Sequence, residues 1–175
     1  MRRLRSDVQH PPSYLAPLSL SFLNLQKPGH CAGLLLYDRT AMATIEMTLV
    51  QRSEQTAFLR CRFGQHTMLI VESAIHTQLE RLCQGRQDKA WQCIALSSGG
   101  VFLAPERTEP LLLKRHDDVV GRKVSPEAAG IAASLLAYGQ LYFRPGMRHI
   151  RERYHQLREF VTEHDEVSTI LSFIK

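Results

Sequence analysis

Two short apolar runs, Trp91 to Leu96 and Val101 to Ala104, are separated only by Ser97-Ser98-Gly99-Gly100. So short a gap leaves two extended segments little choice but to fold back on each other. Paired glycines supply the positive φ that tight hairpins need. Pro105 ends the second run by removing a ladder donor. Leu111 to Lys114 reads as a third short strand, followed by a loop at His116-Asp117-Asp118 and Gly121. A hairpin this small is marginal in water on its own, so the rest of the chain must cover it.

That cover reads as helical. Val71, Ile75, Leu79 and Leu82 repeat at helical spacing and predict a helix over 69–83, with Glu72, His76 and Glu80 on another face. Ser53 to Phe63 reads as a short helix ended by Gly64. Ser125-Pro126-Glu127 is a helix start, with an N-cap hydroxyl, a proline at the first helical position and an acid in the first turn. The helix it opens should run over 126–141. Ala128, Ala129, Gly130, Ala132 and Ala133 give it a surface that admits another backbone closely, and Ile131, Leu135 and Tyr138 form a bulkier stripe. After Pro145-Gly146 a helix to about 163 should turn Ile150, Tyr154, Leu157 and Phe160 or Val161 inward, with Arg148–Glu152 and His155–Glu159 pairs outside. A last helix covers about 166–173. Helix, strands, then helices is the order of an α+β fold rather than a βαβ repeat. The expectation is a single compact domain, with a small antiparallel sheet (the hairpin around 91–104 plus the third strand) packed by about four helices.

Domain limits follow from where this periodicity starts. Residues 1–46 carry Pro11, Pro12, Pro17 and Pro28 and no sustained period, apart from a strand-like run at Leu34 to Tyr37. They read as a poorly ordered N-terminal extension, and Met42 and Met47 each offer a later start for a domain over 47–175. The basic N-terminus lacks both an uninterrupted apolar stretch and a small-residue cleavage site, so it does not read as a secretion signal. No apolar run reaches the ~18 residues that a bilayer demands. The four cysteines, Cys31, Cys61, Cys83 and Cys93, match no zinc or CxxC spacing. They read as free thiols of a cytoplasmic protein, with Cys83 and Cys93 buried and inert.

Charge limits function more than fold. The whole chain carries +5, and from Met47 onward 17 basic residues face 14 acids. A chain with this balance does not imitate DNA by bulk charge. No P-loop, GxSxG or HExxH occurs, so no catalytic, cofactor-binding or metal residue is assigned and the chain does not read as an enzyme. His116 with Asp117 and Asp118 reads as a solvated loop, and His149 and His155 lie on different helix faces. Trp91 reads as core or core rim. Arg148, Arg151, Arg153 and Arg158 form the densest basic stretch. It reads as a solvated face balanced by Glu152, Glu159 and Glu163, and contact with nucleic-acid phosphates is the alternative.

Four segments resemble the ArdB/KlcA antirestriction family. They are Phe58 to Gly64 with Met68, Leu69 and Glu72; Trp91 to Pro105, similar to the family's W-x4-LSNGG-x-FMAP hairpin with Ser98 in place of its asparagine; Val124 to Ile131, similar to LS-x-EAAGI; and Glu152 to Phe160 with His164, Glu166 and Ile170. The resemblance spans about 50–174. It implies an α+β protein without cofactor or enzymatic site, carried by plasmids, phages and genomic islands. It also implies relief of type I restriction-modification, with that system as partner. The expected mode is protein interaction rather than DNA mimicry. Exposed turns with constrained backbones often carry recognition, so the candidate interaction surface is Ser97, Ser98, Gly99 and Gly100 with Ser125 and Glu127. The competing reading is a nucleic-acid-binding accessory protein of a mobile element, acting through Arg148, Arg151, Arg153 and Arg158.

Overall fold

The computed structural model describes residues 44–84, 90–115 and 118–174. The expectations for 1–43, for Cys31, for most of the 84–89 loop and for His116-Asp117 lie outside the described residues. Those described are five helices and five strands: β1 (Met47–Val50), α1 (Gln55–Phe63), α2 (Gln65–Leu82), β2 (Trp91–Leu96), β3 (Val101–Pro105), β4 (Leu111–Leu113), β5 (Arg122–Val124), α3 (Pro126–Leu141), α4 (Arg148–Val161) and α5 (Val167–Ile174). The α+β class holds. No helix among the described residues is long and apolar enough to cross a membrane.

The sheet is antiparallel in the order β1-β2-β3, with Ala95 opposite Val101 and Thr48 opposite Ala95. This corrects the third strand. Leu111–Leu113 does not join the hairpin but pairs with Arg122–Val124 in a separate two-stranded sheet. Pro105 and Pro110 bracket the connection, so the ladder cannot continue through it. The open edge of β2 is taken instead by Met47–Val50. Ser97 N donates to Glu46 O at 2.9 Å, and Glu46 N donates to Ser97 Oγ at 3.0 Å, which pins the strand's entry. Met47, Thr48 and Leu49 are exposed, so this strand carries no alternation to betray it.

Helix α3 is the centre of the structure. It touches α2, α4, α5 and both β3 and β4. Ser125 caps it, with extended backbone (φ −63°, ψ 154°) and Oγ accepting from Ala128 N at 3.1 Å. Ala128 through Leu135 are all buried, as are Ala137, Tyr138 and Leu141. A helix apolar on every side belongs inside, and its two buried polar groups are satisfied by β3: Tyr138 Oη donates to Val101 O at 2.7 Å, and Ser134 Oγ accepts from Leu103 N at 3.3 Å.

The other helices close around this axis. The stripe Val71, Ile75, Leu79 and Leu82 is buried, and α2 begins at Gln65, earlier than the apolar stripe alone marks. Gly64, at φ +81°, separates α1 from α2: its N–H closes the first on Arg60 O (2.8 Å), and its carbonyl opens the second to Met68 N (3.0 Å). Helix α4 buries Ile150, Leu157, Phe160 and Val161, with Tyr154 half-buried. Arg148 Nε lies 3.9 Å from Glu152, but His155 faces Tyr142 Oη at 3.2 Å rather than Glu159. Cys93 is buried, and desolvation pushes its thiol up to about 12; half-buried Cys83 is pushed up to about 11 by the same cause. Neither is poised as a nucleophile.

The backbone engages the domain two residues before Met47, because Ile45 N also donates to Glu163 at 3.3 Å. A chain starting at Met47 loses this bond and the reciprocal Glu46–Ser97 pair, at about 1 kcal/mol each. It is expected to melt several degrees below a chain starting at Met42, which keeps them. Equal melting temperatures would show that these bonds contribute nothing.

Candidate interaction surface

The turn at Ser97–Gly100 is a three-residue loop closed by a residue in the left-handed region. Gly99 N donates to Leu96 O and Leu96 N to Gly100 O, both at 2.8 Å, with Gly99 at φ +93°. Of the paired glycines, only Gly99 needs the left-handed region. The loop is seated on α4. Gly99 O accepts from Arg153 Nη1 at 2.9 Å, and the same nitrogen reaches Gln156 Oε1 at 2.7 Å. Gly100 is buried against Leu157 and Gln156. Ser98 Oγ is buried without a hydrogen-bond partner, so Ser97 alone among the four is exposed.

The start of α3 is tied to the other end of α4. Ser125 N reaches both carboxylate oxygens of Glu166 at 3.2 Å, and Ser125 Oγ donates to the same carboxylate. Glu127 Oε1 lies 3.1 Å from His164 Nε2, while His164 Nδ1 accepts from Glu166 N at 3.0 Å. The Nδ1 bond assigns the proton to Nε2, so the ring donates to Glu127. These side chains satisfy donors at the helix start and hold it to the turn between α4 and α5.

Among the described residues no hydrogen bond links the two motifs directly. They meet through residues 45–47. Ser97 holds Glu46, Ile45 N bonds to Glu163, and Met47 lines a groove of about 500 Å³ with Ser125, Glu127, Phe160, Glu163 and Asp165. Its walls also include His164 and Glu166, so four carboxylates line one concavity together with the apolar Met47 and Phe160. Glu163 and Asp165 are exposed. Sequence reasoning missed this gathering, because 127 and 163–166 are far apart in the chain and residues 45–47 carried no signal.

The four arginines do not share a face. Arg148, Arg151 and Arg158 are exposed, and Arg151 lies over the Tyr142 ring at 4.7 Å. Arg153 points the other way, under the hairpin turn. Burial and the nearby Arg62 guanidinium hold its pKa below the ordinary arginine value. It is a structural link, not a free phosphate contact. Glu152, Glu159 and Arg148 alternate along the exposed face.

The class so defined is a small α+β domain in which a glycine turn and a capped helix start are both anchored on one C-terminal helix unit. The antirestriction protein family model matches residues 85–175. An antirestriction protein KlcA of Escherichia coli is 32% identical over 130 residues, covering 72% of this chain and 92% of the relative. A second KlcA of E. coli is 31% identical over 132 residues, covering 72% and 90%. The uncharacterised protein YafX of E. coli K12 is 32% identical over 108 residues, covering 61% and 71%. A solved structure of the KlcA and ArdB proteins superimposes with a TM-score of 0.68 at 30% identity, over 75% of this chain and 95% of that one. The chain belongs to the ArdB/KlcA antirestriction family.

Proposed function

We infer that this chain relieves type I restriction of incoming DNA, working in the cytoplasm as a protein-binding factor, neither an enzyme nor a DNA mimic. The observation that carries the reading is the family match together with the shared fold. The solved KlcA and ArdB proteins are described as active against type I DNA restriction systems in vivo but not in vitro. Such a pattern suits an inhibitor that acts through a component or state supplied by the cell, rather than by occupying the enzyme's DNA site.

The surface proposed for that contact is the acid-lined groove walled by Ser125 and Glu127 and linked through Glu46 to Ser97. Its carboxylates, with Glu163 and Asp165 exposed, share the groove with the apolar Met47 and Phe160, an arrangement suited to a basic or amphipathic protein segment. The basic face of α4 offers less to nucleic acid than its sequence suggests, since Arg153 is withdrawn and Arg148 faces Glu152.

The test is plating of unmodified phage on a host with and without an active type I system, with this chain expressed. Plating efficiency on the restricting host should rise by orders of magnitude and stay unchanged on the other. Glu163→Gln combined with Asp165→Lys should lower protection about tenfold or more, the scale of ~1.4 kcal/mol of lost binding. Replacing Arg148, Arg151 and Arg158 together by alanine should leave protection intact. The opposite pattern in the two variants would favour the nucleic-acid reading.

A further inference from the structure

Away from that groove, α1, α2 and the start of β2 enclose a cleft of about 300 Å³, lined among others by Arg52, Thr56, Glu72, His76 and Trp91. By volume it holds roughly ten waters, or one side-chain head group. Trp91 is 8% exposed and forms its wall, with the His76 ring tilted against it at 4.1 Å between centroids. Glu72 stands one helical turn before His76. It is half-buried and has no ion partner among the described residues. The one arginine in the cleft's lining, Arg52, is bound to Glu106 at 3.2 Å. Desolvation holds His76 below the ordinary histidine value despite Glu72 and Glu80, so it adds no charge at neutral pH. With Arg52 paired to Glu106, Glu72 is the lining's carboxylate without an ion partner among the described residues, and it shares the cleft with the Trp91 indole.

These features select the guest. A half-buried carboxylate without a partner is costly and repels anions. An indole face attracts cations, most strongly when water is excluded. Glu72 and His76 alone are too few ligands for a metal, and no set of three ligating side chains gathers among the described residues. We propose that this cleft binds one cationic side chain of a partner protein, an arginine guanidinium or lysine ammonium, with Glu72 as its counter-ion and Trp91 as its stacking wall. This site stands apart from the acid-lined groove and does not depend on the antirestriction reading.

Trp91 is the chain's single tryptophan, so its emission reports occupancy directly. The purified full chain is titrated with N-acetyl-L-arginine amide at constant ionic strength, and in parallel with the uncharged N-acetyl-L-norleucine amide. The arginine probe should give a saturable change in emission, with Kd on the order of 1–10 mM for a ligand of this size. The norleucine probe should not saturate. Glu72→Gln should weaken binding at least tenfold. Thr56→Arg, at an exposed position on the cleft wall, should abolish binding by filling the cleft. Equal binding of the two probes, a response linear in concentration, or full binding by either variant would each overturn the proposal.

Discussion

Gly130→Ala is expected to destabilise the protein by about 2–4 kcal/mol, while Gly139→Ala, nine residues further along the same helix, stabilises it by about 0.5–1 kcal/mol. Helix propensity favours alanine at both positions by about 1 kcal/mol. Packing separates them. A Cβ at Gly130 would lie 2.7 Å from Ala104 Cα and 2.9 Å from Ala104 Cβ, and closer still to Leu103 O. Those atoms are mostly backbone of β3, which cannot step aside. β3 is paired to β2 along its length, and Leu103 N is held by Ser134 Oγ. At Gly139 the nearest atom is Tyr154 Cε2 at 3.9 Å, an ordinary contact. Thermal unfolding of the two variants should therefore shift in opposite directions, by about 2–4 °C per kcal/mol for a domain of this size. A neutral Gly130→Ala would mean that α3 and β3 can separate, contrary to the packing described.

The same contrast shows what the sequence could reveal. The run Ala128 to Ala133 announced close approach of another backbone, and β3 is that backbone. Local chemistry was equally informative at Ser125-Pro126-Glu127 and at Ser97–Gly100, because caps and turns are dictated by a few adjacent residues. Strand β1 was not readable. Three of its four residues are exposed, and it is specified by Ser97 and Glu163, 51 and 118 residues away from their partners in the chain. β5 was hidden for a related reason: Arg122 and Lys123 face solvent and only Val124 is buried. Among the arginines, helical geometry already separates Arg153 from Arg151 by roughly 200° around the axis. Which side lay inward, however, depended on where the hairpin turn docked. The cleft beside Trp91 was half visible, since Glu72 and His76 were seen to share a face. Its other walls come from Arg52 and Thr56, on separate segments.

The purified protein is expected not to displace DNA from a type I restriction enzyme, even in large excess and at low salt, where electrostatic competition is strongest. Duplex DNA presents one charge per ~1.7 Å of axis, and its proteins gain affinity by releasing the counterions around many phosphates. The groove brings together the carboxylates of Glu127, Glu163, Asp165 and Glu166. Most of these carboxylates are already committed: Glu127 to His164, Glu166 to Ser125 and Glu163 to the Ile45 amide. Asp165 is left with neither a salt bridge nor a side-chain hydrogen bond among the described residues. Four carboxylates in one concavity can hold a basic segment of a protein, but they cannot stand in for a polyanion spanning a restriction enzyme's DNA channel. The outcome is read by titrating the chain into preformed enzyme–DNA complex across a salt series, while the same chain is scored for phage protection in cells. Protection without displacement is the expected pair of results. Displacement that is efficient at low salt and fades as salt rises would make the groove a DNA mimic after all. It would overturn the mechanism proposed here while leaving the antirestriction function in place.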